Sequence, residues 1–263
     1  AAMVGLGLGM VLYMFLMIYG AMVMQSVIEE KSSRVLEVVV SSVRPFELMM
    51  GKIFGVASVA VVQVLIWAVL VCGAGAAVMP HVLPDGAMEA AAALQQGGGA
   101  ATAAAGDFDP ETLGAIALAT DVGYLAMLFG YLLLFVVGGY LLYSAMFAAV
   151  GSAVDNAQDA AQLQTPIMIP IILAVIVEMS VLNDPNSPLA FWFSLIPFTS
   201  PVVMMARIPY GIPTWEIVLS LVLLYAAFVG MVWLSAKIYR VGIFMYGKKP
   251  TLREMFRWIR YKY

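Results

Sequence analysis

Charge is what this sequence has least of. Asp, Glu, Lys and Arg make up 11% of its 263 residues, where a soluble domain carries about a quarter. With 63% of the residues hydrophobic, a water-soluble fold of this length would lack the polar surface to cover itself. Histidine and cysteine are nearly absent: His81 and Cys72 are single. One thiol and one imidazole exclude a disulfide framework, a histidine cluster and a multi-thiolate metal site within the chain. The net charge of −3, with no basic domain, speaks against nucleic acid as a partner. There is no HExxH and no pair of intramembrane aspartates, so no catalytic, cofactor-binding or metal-binding residue is assigned and the chain is not read as an enzyme. No charged stretch precedes the first apolar run, so no signal peptide is read.

What is present is apolar length. Spanning a bilayer takes roughly 20 mostly apolar residues, and five runs qualify: Met3–Val27, Ile53–Met79, Val122–Val150, Leu163–Leu182 and Ile217–Ala236. A further stretch, Leu189–Met205, is interrupted by Pro197 and Pro201 and reads as a re-entrant or interfacial pair of short helices. The expected fold is therefore all-α and polytopic, with the membrane domain occupying residues 1–263. Five spans lie in this fragment. Pro166 and Pro170 are placed to kink the fourth of them.

The few charges orient the spans. Twelve of the 13 basic residues fall in two places, Lys31–Lys52 and Lys237–Lys262; the other is Arg207. Residues 80–121 hold no Lys or Arg but six acids. The positive-inside rule puts the two basic segments in the cytoplasm and makes 80–121, rich in Ala and Gly, an external loop. The basic, aromatic tail 239–263 is then cytoplasmic and suited to an anionic leaflet. Five spans leave the N-terminus external. An external start without a signal predicts an upstream span, giving six in the full chain.

The cytoplasmic stretch Gln25–Lys52 carries the most information. On a helix, Glu30, Arg34, Glu37 and Ser41 share a stripe, with Glu30 and Arg34 paired one turn apart. This amphipathic helix, continuous with a span, is either an interfacial turn or a docking helix for a cytoplasmic partner. Glu178 is the one ionisable group well inside a predicted span. It either lines a pathway or reaches interfacial water near the span's outer end. Asp155 and Asp159 read as a solvated polar turn. Gly5-x-x-x-Gly9 and Gly51-x-x-x-Gly55 permit close helix approach, within the chain or between chains. Gly242 to Lys249 nearly matches a phosphate-binding loop, but Lys249 stands where Ser or Thr would hold Mg²⁺, and no βα unit surrounds it.

The run Glu29-Glu30-Lys31-Ser32-Ser33-Arg34-Val35-Leu36-Glu37-Val38, followed by Ser41-Ser42-Val43-Arg44-Pro45-Phe46-Glu47-Leu48-Met49-Met50-Gly51-Lys52, resembles the signature of type-2 ABC-transporter permeases. The tail from Tyr239 to Thr251 and Pro197-Phe198-Thr199-Ser200-Pro201 resemble the sodium-efflux, NatB-like branch. The resemblance implies the membrane subunit of an exporter whose ATP and Mg²⁺ are bound by a separate cytoplasmic subunit. It also implies a second permease copy, as homodimer or paralogue, and an external domain upstream of Ala1. By this likeness Glu29, Glu30, Lys31, Ser33, Arg34 and Glu37 form the ATPase-coupling interface. Sodium, a hydrophobic drug or a peptide would be the substrate. The rival is an ion-coupled secondary transporter or channel without an ATPase, for which the spans offer little buried charge.

Overall fold

A computed structural model describes residues 2–33, 43–82, 86–95, 110–245 and 251–258. Among them every regular element is helical. In chain order these are α1 (Ala2–Ser32), α2 (Pro45–Val82), α3 (Ala87–Gln95), α4 (Pro110–Thr120), α5 (Val122–Ala153) and α6 (Ala157–Val181), then α7 (Pro188–Leu195), α8 (Ser200–Arg207), α9 (Thr214–Gly242) and α10 (Leu252–Trp258), with a 3₁₀ turn at Ile208–Tyr210. Five helices are long and apolar enough to cross a membrane: α1, the Pro45–Gly75 part of α2, α5, α6 and α9. The protein is an all-α polytopic membrane protein.

The chain divides into two compact units. One comprises Val62–Leu133; the other joins residues 2–61 to 134–263. In the first, α3 and α4 pack through Ala87, Ala91, Ile116 and Ala117. The Ala-rich loop thus contains two short helices, as good helix formers allow. Its Gly97–Gly99 run lies outside the described residues.

The second unit is built around α8. All eight residues of this helix are buried, and α1, α6, α7 and α9 surround it. The expected proline-broken pair is here: α7 and α8 are separated by Ile196–Thr199, where Pro197 has no N–H to continue a helix. Thr199 caps the break by donating to the carbonyls of Phe193 and Ile196 at 2.6 and 3.2 Å. Pro201 rests against Gly139, where an added Cβ would lie 3.0 Å from its ring. Tyr143 donates to the carbonyl of Phe198 at 2.5 Å. At the end of α8, Arg207 is buried. Its Nε donates to the Pro185 carbonyl at 2.8 Å and one terminal nitrogen to Ser194 Oγ at 2.6 Å. That nitrogen lies 2.9 Å from Glu216 Oε2, in an ion pair whose angle is not that of a hydrogen bond. Ser220 donates to the Ser194 carbonyl at 2.7 Å. The basic residue that the sequence leaves in a loop is therefore the knot tying α7, α8 and α9.

Exposed tryptophans mark depth. On α9, Trp215 and Trp233 are both more than half exposed. Eighteen residues of helix separate them by about 27 Å, close to the hydrocarbon thickness of a bilayer. Lys237 covers the Trp233 ring at 3.7 Å, the cation–aromatic pairing of a membrane–water boundary.

Helix contacts run through glycine where backbones meet. A Cβ on Gly151 would lie 2.8 Å from the Met24 carbonyl oxygen, and one on Gly5 would overlap the Ala206 backbone. Gly51 meets no described atom within 4 Å. Gly151→Leu should therefore cost about 3 kcal/mol or more, the upper end of overpacking. Gly51→Leu should change thermal stability in detergent little; a loss as large as that of Gly151→Leu would contradict this packing.

Candidate functional site

Helix α1 is 31 residues long, about 46 Å, and so outruns a hydrocarbon layer of about 30 Å. Its last turns, Gln25–Ser32, are the first part of the stretch singled out in the sequence. They continue the span without a break. Arg34 and Glu37 lie outside the described residues.

Two lysines organise this end. Lys31 is wholly buried. Its Nζ donates to the carbonyls of Ser152 at 2.8 Å and Gly242 at 2.9 Å, and is 3.1 Å from Asp155 Oδ1. Both carbonyls belong to the last turns of helices, α5 and α9, beyond the reach of intrahelical donors; that of Gly242 also accepts from the Met245 N–H at 3.1 Å. Aligned peptide dipoles also make a helix C-terminus electronegative. Lys31 therefore meets two helix ends and a carboxylate with one ammonium group. The ends approach closely because Gly242 has no side chain: a Cβ there would lie 2.8 Å from Ser152 Oγ. Asp155, expected as part of a solvated turn, is the anion of this clamp, while Asn156 caps α6 by accepting from the Asp159 N–H at 2.8 Å.

Lys52, on α2, reaches back to α1. Its Nζ is 2.6 Å from Glu30 Oε2 and donates to the Ser26 carbonyl at 3.0 Å and to Ser26 Oγ at 3.1 Å. Tyr140 adds a link from α5 to α2 by donating to the Ile53 carbonyl at 2.9 Å. Together these contacts tie the end of α1 to α2, α5, the start of α6 and the end of α9. Of the residues marked as a coupling interface, Glu29 and Ser33 are exposed, Glu30 is half-buried and paired, and Lys31 is inside. Glu29 and Ser33 thus face outward, whereas Lys31 is enclosed by the ends of α5 and α9 and by Asp155. In the sequence Asp155 read as part of a solvated turn and Gly242 as the start of a failed phosphate-loop match, and Ser152 gave no signal. The single clue was a lone lysine ending an apolar span.

Glu178 lies elsewhere in the same unit. It is fully buried, and neither carboxyl oxygen has a hydrogen-bond partner among the described residues. Its carboxyl packs on Gly9 of α1, where any Cβ would overlap it. Gly5 and Gly9 thus serve packing within the chain. A separate apolar recess of about 190 Å³ is lined by α5, α6, α9 and α10, with Met146, Met231 and Met255 in its walls. Among the described residues no group of three His, Cys, Asp or Glu side chains could hold a metal ion.

The described residues thus form an all-α membrane unit with a charged, multiply tied helix end. Residues 2–237 match the family described as ABC-2 family transporter protein, and the chain belongs to that family. It is similar to two uncharacterized proteins, YhaP of Bacillus subtilis and MJ1024 of Methanocaldococcus jannaschii. Identity is 27% over 246 residues and 27% over 254 residues respectively. The alignments take in 93% and 96% of this chain but 52% of each relative, so the chain spans about half the length of the curated relatives it matches. No solved structure matches it.

Replacing Lys31 by Met keeps the stem and removes the ammonium. The Ser152 and Gly242 carbonyls and Asp155 then lose a partner each. We expect a loss of about 2–4 kcal/mol in unfolding stability, read as a lowered Tm in detergent. An unchanged Tm would mean that water satisfies these groups and that the clamp is not structural.

Proposed function

We propose that this chain is the membrane-spanning half of an ABC exporter, driven by ATP hydrolysis in a separate subunit that docks at the charged end of α1. The observation that carries the reading is the pair of lysine clamps. A helix end that only turned the chain around would need no connection to three other helix ends. One joined by Lys31 and Lys52 can pass a displacement to α1, α2, α5 and α9 together. In this reading Glu29, Ser33, Arg34 and Glu37 meet the partner, while Glu30 and Lys31 transmit. Mixed charge suits a protein partner better than an anionic lipid surface, because complementary pairing sets register. Two copies of the permease would enclose the pathway, with the C-terminus cytoplasmic and 80–121 external, as the basic-residue bias supports.

Sodium is the first substrate to assay, from the resemblance to the sodium-efflux branch. The apolar recess beside Met146, Met231 and Met255 supports a hydrophobic drug or peptide instead, since flexible thioethers adapt to varied ligands. A second reading, an ion-coupled transporter without an ATPase, draws its support from Glu178, a buried carboxyl without a partner.

The test is co-expression with the ATP-binding subunit, purification and reconstitution. Glu29→Lys together with Arg34→Glu should lower recovery of the ATPase with a folded permease by about tenfold or more, the worth of one desolvated charge pair. Lys52→Met should retain the ATPase but abolish its stimulation by substrate. Glu178→Gln should express normally and export less. Normal recovery and transport by the Glu29→Lys, Arg34→Glu variant would sink the docking assignment, and export driven by an ion gradient alone would favour the second reading.

A further inference from the structure

Beyond the clamps lies a groove that they do not explain. Arg44, Pro45, Phe46 and Glu47, at the start of α2, face Arg240 and Phe244, at and just past the end of α9, across a cavity of about 510 Å³. Phe46 is 45% exposed and Phe244 is 61% exposed. In a membrane protein an exposed phenylalanine ordinarily faces lipid, but depth argues against that here. Phe244 lies 11 residues past Trp233, about 16 Å further along the chain of α9. It also lies past Gly242, whose carbonyl binds the Lys31 ammonium. The layer of Lys31, Asp155, Glu30 and Lys52 separates the groove from the apolar part of the helices. Two aromatic rings on the aqueous side of a charged layer form the apolar centre of an interaction surface. The exposed cations Arg44 and Arg240 flank them, and Glu47 is the one acid in the lining. The balance is basic.

We propose that this groove receives an apolar ridge flanked by carboxylates, presented by the ATP-binding subunit. The inference rests on the exporter reading and extends it. Docking would use two surfaces: the exposed residues at the end of α1, and an aromatic–arginine groove between the ends of α2 and α9. Aromatic rings and arginines dominate binding energy at protein interfaces, and the rings here are already held by two helix ends. The groove also adjoins both clamped helices, since Lys52 lies on α2 and the Gly242 carbonyl ends α9. A partner seated there would grip the two helices that the lysines tie to α1. A membrane surface is the lesser fit, because Phe46 and Phe244 would have to reach back past the charged layer to find acyl chains.

The experiment uses the full-length permease in membranes of its native host. A photoreactive benzoylphenylalanine replaces Phe244, and cross-linked partners are identified by mass spectrometry. The expected adduct is with a protein carrying ATP-binding motifs, near an acidic segment; adducts to lipid or to a second copy of this chain overturn the proposal. In parallel, Phe46→Ser with Phe244→Ser, and Arg44→Glu with Arg240→Glu, should each lower ATPase recovery by about tenfold or more. Arg44→Lys with Arg240→Lys should retain most of it. If the ATPase accompanies the wild type and all three double variants equally, the groove is not a docking site, although the exporter reading stands. If no ATPase accompanies even the wild type, both fall. A thermal melt of each variant checks folding, and a variant that melts early is replaced by Phe244→Ser alone, at an exposed position outside the helices.

Discussion

A lysine with no access to water must find its partners inside the protein, and Lys31 finds them at two helix C-termini. Much of the second unit depends on that requirement. An unpaired ammonium in a low-dielectric setting would cost several kcal/mol, and a buried terminal carbonyl such as that of Ser152 carries its own penalty when unpaired. Bringing them together offsets both at once. To do so, α5 and α9 must end side by side against α1, which is possible because Gly151 and Gly242 allow backbone contact. Asp155 then completes the neutralisation from the turn before α6. Each residue of the cluster is ordinary alone. Their spacing along the chain, 121 residues from Lys31 to Ser152 and 211 to Gly242, makes the clamp a property of the fold.

The opposite end solves the same problem differently. Arg207 closes the α7–α8–α9 group through a planar guanidinium that reaches a carbonyl, a hydroxyl and a carboxylate at once. Between the two charged ends the packing is apolar and close, with α8 buried on every side. The bundle is thus fastened by charged groups at both ends and densely packed between them. Pro166 and Pro170 are the exception, since each removes a backbone donor within α6. That helix carries Glu178 and one wall of the apolar recess, so bending there would act on both.

For a member of the ABC-2 transporter family this division of labour is mechanically useful. Force from a docked ATPase would act on the end of α1 directly, because that end continues the span. Under the proposed docking it would enter where α1 ends and be shared by helices already joined by ion pairs and carbonyl contacts. The exposed aromatic and arginine side chains beyond the clamps are those proposed to hold the ATPase, while the buried charges tie helix ends to one another.

The sequence by itself determined the membrane class, the five spans, the proline break between α7 and α8 and the charged segment after the first span. All of these follow from local composition and periodicity. Apolar length sets a span, and proline ends a helix wherever it falls. Tertiary structure decided what the charges do. Glu30, Lys31 and Asp155 look alike in sequence as solvated residues of a loop and a helix end, yet one pairs across helices, one is buried and one neutralises it. Arg207 looks like a loop residue and proves to be a buried knot, whereas Glu178, which the sequence leaves open to a pathway or to interfacial water, is sealed against Gly9. The reason is physical: a side chain's charge is written in its own identity, but its cost and its partners depend on which distant backbone groups the fold brings within about 3 Å.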